Sequence, residues 1–209
     1  MSITTRSSFA LRPHTVLGSW TSDDRRHAES ARALLTELEP VCKEILDHWP
    51  LPHGETVRDA EAEFPELYAL VRKRDRLSDS VRIFSAMAVE GFLNYYGVVR
   101  LGEEAFNTHF ERIGLVPKLR ALLLVCDSIS VSTSDRLVLL LEQVANGRNA
   151  LVHPKAKEFP GYVPAEGRPG VAVPDAARQA VKAMGLFFEE FVSLVPESKH
   201  LAPAGENGA

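Results

Sequence analysis

Residues 137–152 constrain the fold of this chain more than any other stretch, because their apolar side chains recur at helical spacing. Wound at about 100° per residue, Leu137, Leu141, Val144 and Leu151 form one stripe, and Arg148 falls near its centre. Glu142, Gln143, Asn146 and Asn149 fall towards the other side. A guanidinium cannot shed its charge, and burying one without a partner is costly. An arginine on a core-facing stripe therefore needs a carboxylate, a phosphate or a wet cleft at a subunit boundary. Pro154 pushes the residue before it out of the α region, so the helix is expected to stop at 152 or 153. His153 then stands at the break, where its imidazole could fold back towards Arg148.

The remainder of the chain reads as helices joined by Pro- and Gly-rich connections. Residues 1–20 are expected as a flexible tail with one candidate anchor, Trp20, and Thr21-Ser22-Asp23-Asp24 is a helix-start signal. From there to residue 48, Ala31, Leu34, Leu35, Leu38, Val41 and Ile45 repeat at helical spacing, with Pro40 expected to kink or split the helix at Glu39. Residues 21–66 are therefore expected as an N-terminal helical extension. A second helical stretch begins near Pro65 and carries the densest cationic run, Arg72-Lys73-Arg74 with Arg76. That run has two readings, a guide for a polyanion and a solvated face balanced by Asp75 and Asp79.

Residues 77–101 form the most apolar helix before residue 137. Within it Glu90 has Ala86 and Met87 one turn back and Leu93 and Asn94 one turn on. An acid in such company calls for a cation, and Arg148 is the first candidate. A short helical piece with Phe106 and Phe110 follows, then a helix opened by Pro117, then a polar loop over 128–134, with Ser134-Asp135 expected to cap the next helix. Five prolines and three glycines between 154 and 174 exclude a regular element there. Residues 175–195 form the last amphipathic helix, ended by Pro196, with 197–209 expected as a disordered tail. The fold class that results is all-α, an up-and-down bundle of five to six helices over 67–196.

Composition narrows the function classes. The chain has 209 residues, 45% of them hydrophobic and 25% charged, enough for one domain with a substantial core. A net charge of −4 argues against a general nucleic-acid coat protein and is compatible with a site that grips one or two phosphates. Two cysteines, Cys42 and Cys126, provide no disulfide framework or zinc spacing, so a reducing cytoplasm is expected. No apolar run is long enough to span a bilayer. There is no glycine-rich phosphate loop, no HExxH and no CxxC, and the seven histidines include no i,i+4 pair, so neither metal nor cofactor is expected.

The string Arg148-Asn149-Ala150-Leu151-Val152-His153, at the end of a long helix in an all-helical chain, resembles the R-polar-x-x-x-H signature of the HEPN superfamily. The resemblance is carried by these residues and by helix pattern over roughly 77–195. It implies a HEPN-like helical bundle that dimerises and, in many members, a metal-independent endoribonuclease whose site forms where two copies of the motif meet. By that resemblance Arg148 grips the scissile phosphate, His153 is the acid/base and Asn149 orients it. Glu90, from its own apolar surroundings, reads either as a carboxylate steadying that arginine or as a structural or exposed acid. The stretch after His153 reads either as a cover over the site, with Lys155 and Lys157 adding contacts to RNA, or as a plain crossover. The implied partners are an RNA substrate, a second copy of the chain and, in toxin–antitoxin settings, an antitoxin; phage defence and RNA stress responses are the other implied settings. Two other readings stand beside it: a non-catalytic helical interaction module, and a binding partner of a nucleotidyltransferase.

Overall fold

The computed structural model describes residues 12–13, 23–47, 64–152 and 173–203. It is a helical bundle. The elements are α1 (Asp24–Asp47), α2 (Pro65–Leu101), α3 (Glu103–His109), α4 (Leu115–Asp127), α5 (Arg136–Val152), α6 (Val173–Leu194) and a 3-10 turn at Pro196–His200. No strand occurs among the described residues.

The long helix α2 is the axis of the molecule, at about 55 Å for its 37 residues. Helices α1, α5 and α6 pack along it, and α3 and α4 close its C-terminal end. Phe92 and Tyr96 of α2 meet Phe187, Phe188 and Phe191 of α6 in one aromatic cluster. Phe92 and Phe191 stand edge-to-face at 4.9 Å and 90°, and Tyr96 and Phe191 at 5.1 Å. All but Phe188 are wholly buried, so each contributes about 1.5–3 kcal/mol through burial alone. Gly97 allows α3 to dock here, because a Cβ at that position would be driven into the Phe106 ring. Gly102, at φ 83°, turns the chain from α2 into α3 in the region that L side chains avoid.

Several expectations are revised. Residues 67–76 and 77–101 are not separate stretches but one helix, since the cationic run contains good helix formers and no breaker. The first half of α2 is held by a small apolar cluster in which Leu67, Leu70, Val71 and Leu77 pack with Val41 and Ile45 of α1. Helix α1 is not split at Pro40. The ring lies on the exposed face while Leu38 and Val41 on either side are buried, and that packing carries the helix across the missing N–H. Nor is α1 an appendage, since Ala28, Ala31 and Leu38 belong to the same core as the α2–α6 aromatics.

At the other end, residues 197–203, expected in a disordered tail, fold back on the bundle. Ser198 is fully buried, with its hydroxyl donating to the Val195 carbonyl at 2.7 Å, and Leu201 is 1% exposed. Asp135 stands at the start of α5, as expected, its carbonyl accepting from the Leu139 N–H at 3.0 Å. Its carboxylate accepts from the Ser132 N–H and hydroxyl, at 2.9 and 2.8 Å, and these bonds hold that carboxyl below its usual pKa. Trp20, residues 48–63 and residues 153–172 lie outside the described residues.

Candidate functional site

The stripe on α5 is realised: Leu137, Leu141 and Val144 are buried. Where the stripe reaches Arg148, the bundle opens. The Arg148 side chain is 31% exposed and the Glu90 side chain 36%, and Arg148 Nη1 donates to Glu90 Oε2 at 2.7 Å. The acid among apolar neighbours on α2 and the cation on the apolar stripe of α5 are thus each other's partners. Both line a cleft of about 540 Å³, together with Glu142, Asn146 and Asn149 of α5 and the chain around Gly114 that opens α4. The contact uses a single Nη. Among the described residues the other guanidinium N–H groups have no acceptor, so Glu90 fixes the direction of the group and leaves one edge facing the cleft.

A second bond secures the same end of α5. Arg82 of α2 donates through Nη2 to the Gly147 carbonyl at 2.8 Å, and its Nη1 lies 3.4 Å from Asp79 Oδ1. Burial raises the Asp79 carboxyl, with Arg82 opposing it. Adjacent residues of α5, Gly147 and Arg148, are therefore held to α2 by arginines of opposite origin, one reaching in each direction. The backbone that presents Arg148 and Asn149 is fixed as a result.

Behind Glu90 lies a group that sequence reasoning missed. Lys118 of α4 is only 1% exposed. Its ammonium donates to Asn94 Oδ1 at 2.7 Å and to the Glu111 carbonyl at 3.2 Å, and it stands 5.5 Å over the Phe106 ring. Burial pushes its pKa down, and the negative charges of Glu90 and Glu111 oppose that shift. Glu90 and Asn94 are one turn apart on α2, so one face of that helix receives Arg148 from α5 and Lys118 from α4. The signal was present in the sequence. Lys118 falls on the stripe formed by Leu119, Leu122 and Cys126, as Arg148 does on its own.

Asn149 is exposed at the cleft, beside Arg148. His153, Lys155 and Lys157 lie outside the described residues. The cationic run is elsewhere: Arg72, Lys73 and Arg76 are exposed on α2, and Arg74 pairs with Asp75 at 2.7 Å. From Arg74 to Glu90 is 16 residues of helix, about 24 Å at about 1.5 Å each. The run and the cleft are thus separate features of one rod.

Cys42 and Cys126 are free thiols, and burial pushes Cys126 up to about 11. Among the described residues no three His, Cys, Asp or Glu side chains are placed to share a metal ion. No helix among them is long and apolar enough to cross a membrane. Comparison with known proteins finds no match: no family model, curated protein or solved structure corresponds to this chain.

Proposed function

We propose that this chain is a metal-independent endoribonuclease of the HEPN type, acting on single-stranded RNA as a homodimer with a composite site. The observation that carries the reading is the Arg148 guanidinium, aimed by Glu90 through one nitrogen and open to the cleft along its other edge. A phosphate is the natural partner of such an edge. One copy supplies little positive charge, because Glu90 and Glu142 both line the cleft with Arg148. A second copy meeting the first across α5 brings a second Arg148, and that supports the dimeric form of the reading.

In this mechanism a ribose 2′-hydroxyl attacks the adjacent phosphorus and the 5′-oxygen of the next nucleotide leaves. One His153 takes the 2′-hydroxyl proton, and the other protonates the leaving oxygen. Arg148 stabilises the charge that builds on the phosphorane oxygens, and Asn149 orients the histidine. The products are a 2′,3′-cyclic phosphate and a 5′-hydroxyl, and DNA, which lacks the nucleophile, is spared. Lys155 and Lys157 extend the grip along the strand. The two free thiols fit a cytoplasmic setting, and toxin–antitoxin, phage-defence or RNA stress-response systems are the settings to examine, an antitoxin being the partner in the first.

A second reading, a non-catalytic interaction module, draws on the same contact: Glu90 already meets the charge of Arg148, so no phosphate is required for folding. Incubating fluorescent single-stranded RNA with the purified protein in EDTA separates the two. Cleavage by wild type with cyclic phosphate ends, and loss of about 100-fold or more in His153→Ala, is the expected outcome. A folded, dimeric wild type that leaves RNA intact would favour the module.

A further inference from the structure

Glu142 is the residue of the Arg148 cleft that phosphate chemistry leaves unused. The other acid there, Glu90, is paired with Arg148. Among the described residues neither Glu142 nor Asn146 has a side-chain partner, and both line the cleft. A carboxylate in a phosphate-binding cleft repels the ligand. It becomes useful only if the same ligand brings hydrogen-bond donors to it.

The spacing along α5 defines that ligand. Glu142 and Asn146 lie one turn apart on the same face of the helix. Arg148 follows six residues after Glu142, about 9 Å along the axis at about 1.5 Å per residue. One nucleotide reaches about as far from its phosphate to the edge of its base. The start of α4 supplies an apolar wall to the same cleft, with Ile113 and Val116 half-buried and Pro117 exposed. A flat ring laid on that wall buries one face against apolar side chains and turns its edge to α5. The cleft volume of about 540 Å³ lies within the range of small-molecule sites.

Glu142 offers two acceptor oxygens, and Asn146 beside it offers an amide donor. Of the four RNA bases, only guanine carries two adjacent N–H donors next to a carbonyl on its Watson–Crick edge. Adenine and cytosine each present one amino group beside ring acceptors, and uracil one N–H between two carbonyls. In a single strand that edge is free to be read. We propose that the cleft holds a guanosine next to the scissile phosphate. Glu142 accepts from the base N1–H and 2-amino group, Asn146 donates to O6, and Arg148 meets the phosphate. The proposal rests on the nuclease reading for one point, that this phosphate belongs to RNA.

Calorimetric titration of the full-length protein with the four nucleoside monophosphates tests it without requiring catalysis. Each is used in its 3′ and 5′ forms, since the base on either side of the scissile phosphate has the same edge. Wild type is expected to bind a guanosine monophosphate with a Kd at or below about 1 mM, and the other three about tenfold or more weakly. Glu142→Gln, with one acceptor in place of two, should weaken guanosine monophosphate about tenfold and narrow the spread among the four nucleotides to under about threefold. Asn146→Asp, at an exposed position, provides a second variant should the first fold poorly, and should weaken guanosine monophosphate about fivefold or more. Mapping the ends of cut RNA should place guanosine at the cleavage sites. Wild type that cuts RNA without regard to base, and binds the four nucleotides alike, would overturn the proposal and leave the nuclease standing. A guanosine preference lost in Glu142→Gln, in a protein that leaves RNA whole, would uphold the site and remove the nuclease. Guanosine affinity undiminished in both folded variants would overturn the assignment of Glu142 and Asn146.

Discussion

Arg100 and Arg148 both join α2 to a neighbouring helix through a carboxylate, yet their surroundings differ completely. Arg100, near the end of α2, lies 3.3 Å from Asp127 of α4, and both side chains are 9% exposed. Its guanidinium also donates to the Cys126 carbonyl and, at 3.1 Å, to the Arg12 carbonyl. The Tyr96 hydroxyl donates to Asp127 from the other side, and burial together with that carboxylate raises the Tyr96 phenol strongly. Acceptors are supplied from three directions, which is what a buried guanidinium demands. Among the described residues Arg148 has one partner atom, Glu90 Oε2, with about a third of its side chain in solvent and a cleft in front of it. An arginine buried among acceptors on several sides holds helices together. An arginine fixed at one edge and open at the other is available to a ligand.

That contrast orders the expected effects of substitution. Asp127→Ala should cost the most, about 3–5 kcal/mol, because it strands a buried guanidinium and removes the acceptor of Tyr96. Urea unfolding measures it, and a loss under about 1 kcal/mol would erase the distinction between the two ends of α2. Glu90→Gln should cost less than about 1 kcal/mol, since solvent can take over the half-exposed guanidinium. A loss as large as that of Asp127→Ala would make Arg148 a structural residue.

A more exposed pair, Arg178 of α6 with Glu39 of α1 at 2.8 Å through two bonds, should matter least of the three. Its side chains are 42% and 48% exposed, so a few tenths of a kcal/mol is expected, screened further by salt. The hydrogen bond from Arg178 lowers the Glu39 pKa below 4.5. A depressed carboxyl pKa contributes stability that is present above the unfolded value and lost as pH falls through the folded one. Wild type and Glu39→Gln should therefore differ in melting temperature above about pH 5 and converge below pH 4.5 as Glu39 protonates. Divergence on acidification would contradict the pairing.

The sequence carried the Glu90–Arg148 pair and a large part of the fold, for reasons that differ from residue to residue. Glu90 and Arg148 were legible together because each broke an apolar helical pattern and each needed the other's charge. Lys118 broke the pattern of α4 in the same way and went unread, although the rule that found Arg148 applies to it unchanged. The bond from Arg82 to the Gly147 carbonyl was not legible at all, since a backbone acceptor has no side-chain identity to read. Pro40 misled because local backbone chemistry was weighed without the packing of Leu38 and Val41 that overrides it. The 3-10 turn was hidden by polar composition, its order resting on Ser198, Leu201 and Ala202 and on the bond from Arg25 to the His200 carbonyl. Spacing shows which side chains require partners, and tertiary packing decides which are satisfied.

The most direct test of Arg148 as a functional rather than a structural arginine is to measure RNA cleavage and the urea unfolding midpoint together on Arg148→Ala. The expected result is cleavage reduced by about 100-fold or more with stability within about 1 kcal/mol of wild type. Undiminished cleavage, or unfolding as severe as that of Asp127→Ala, would contradict it.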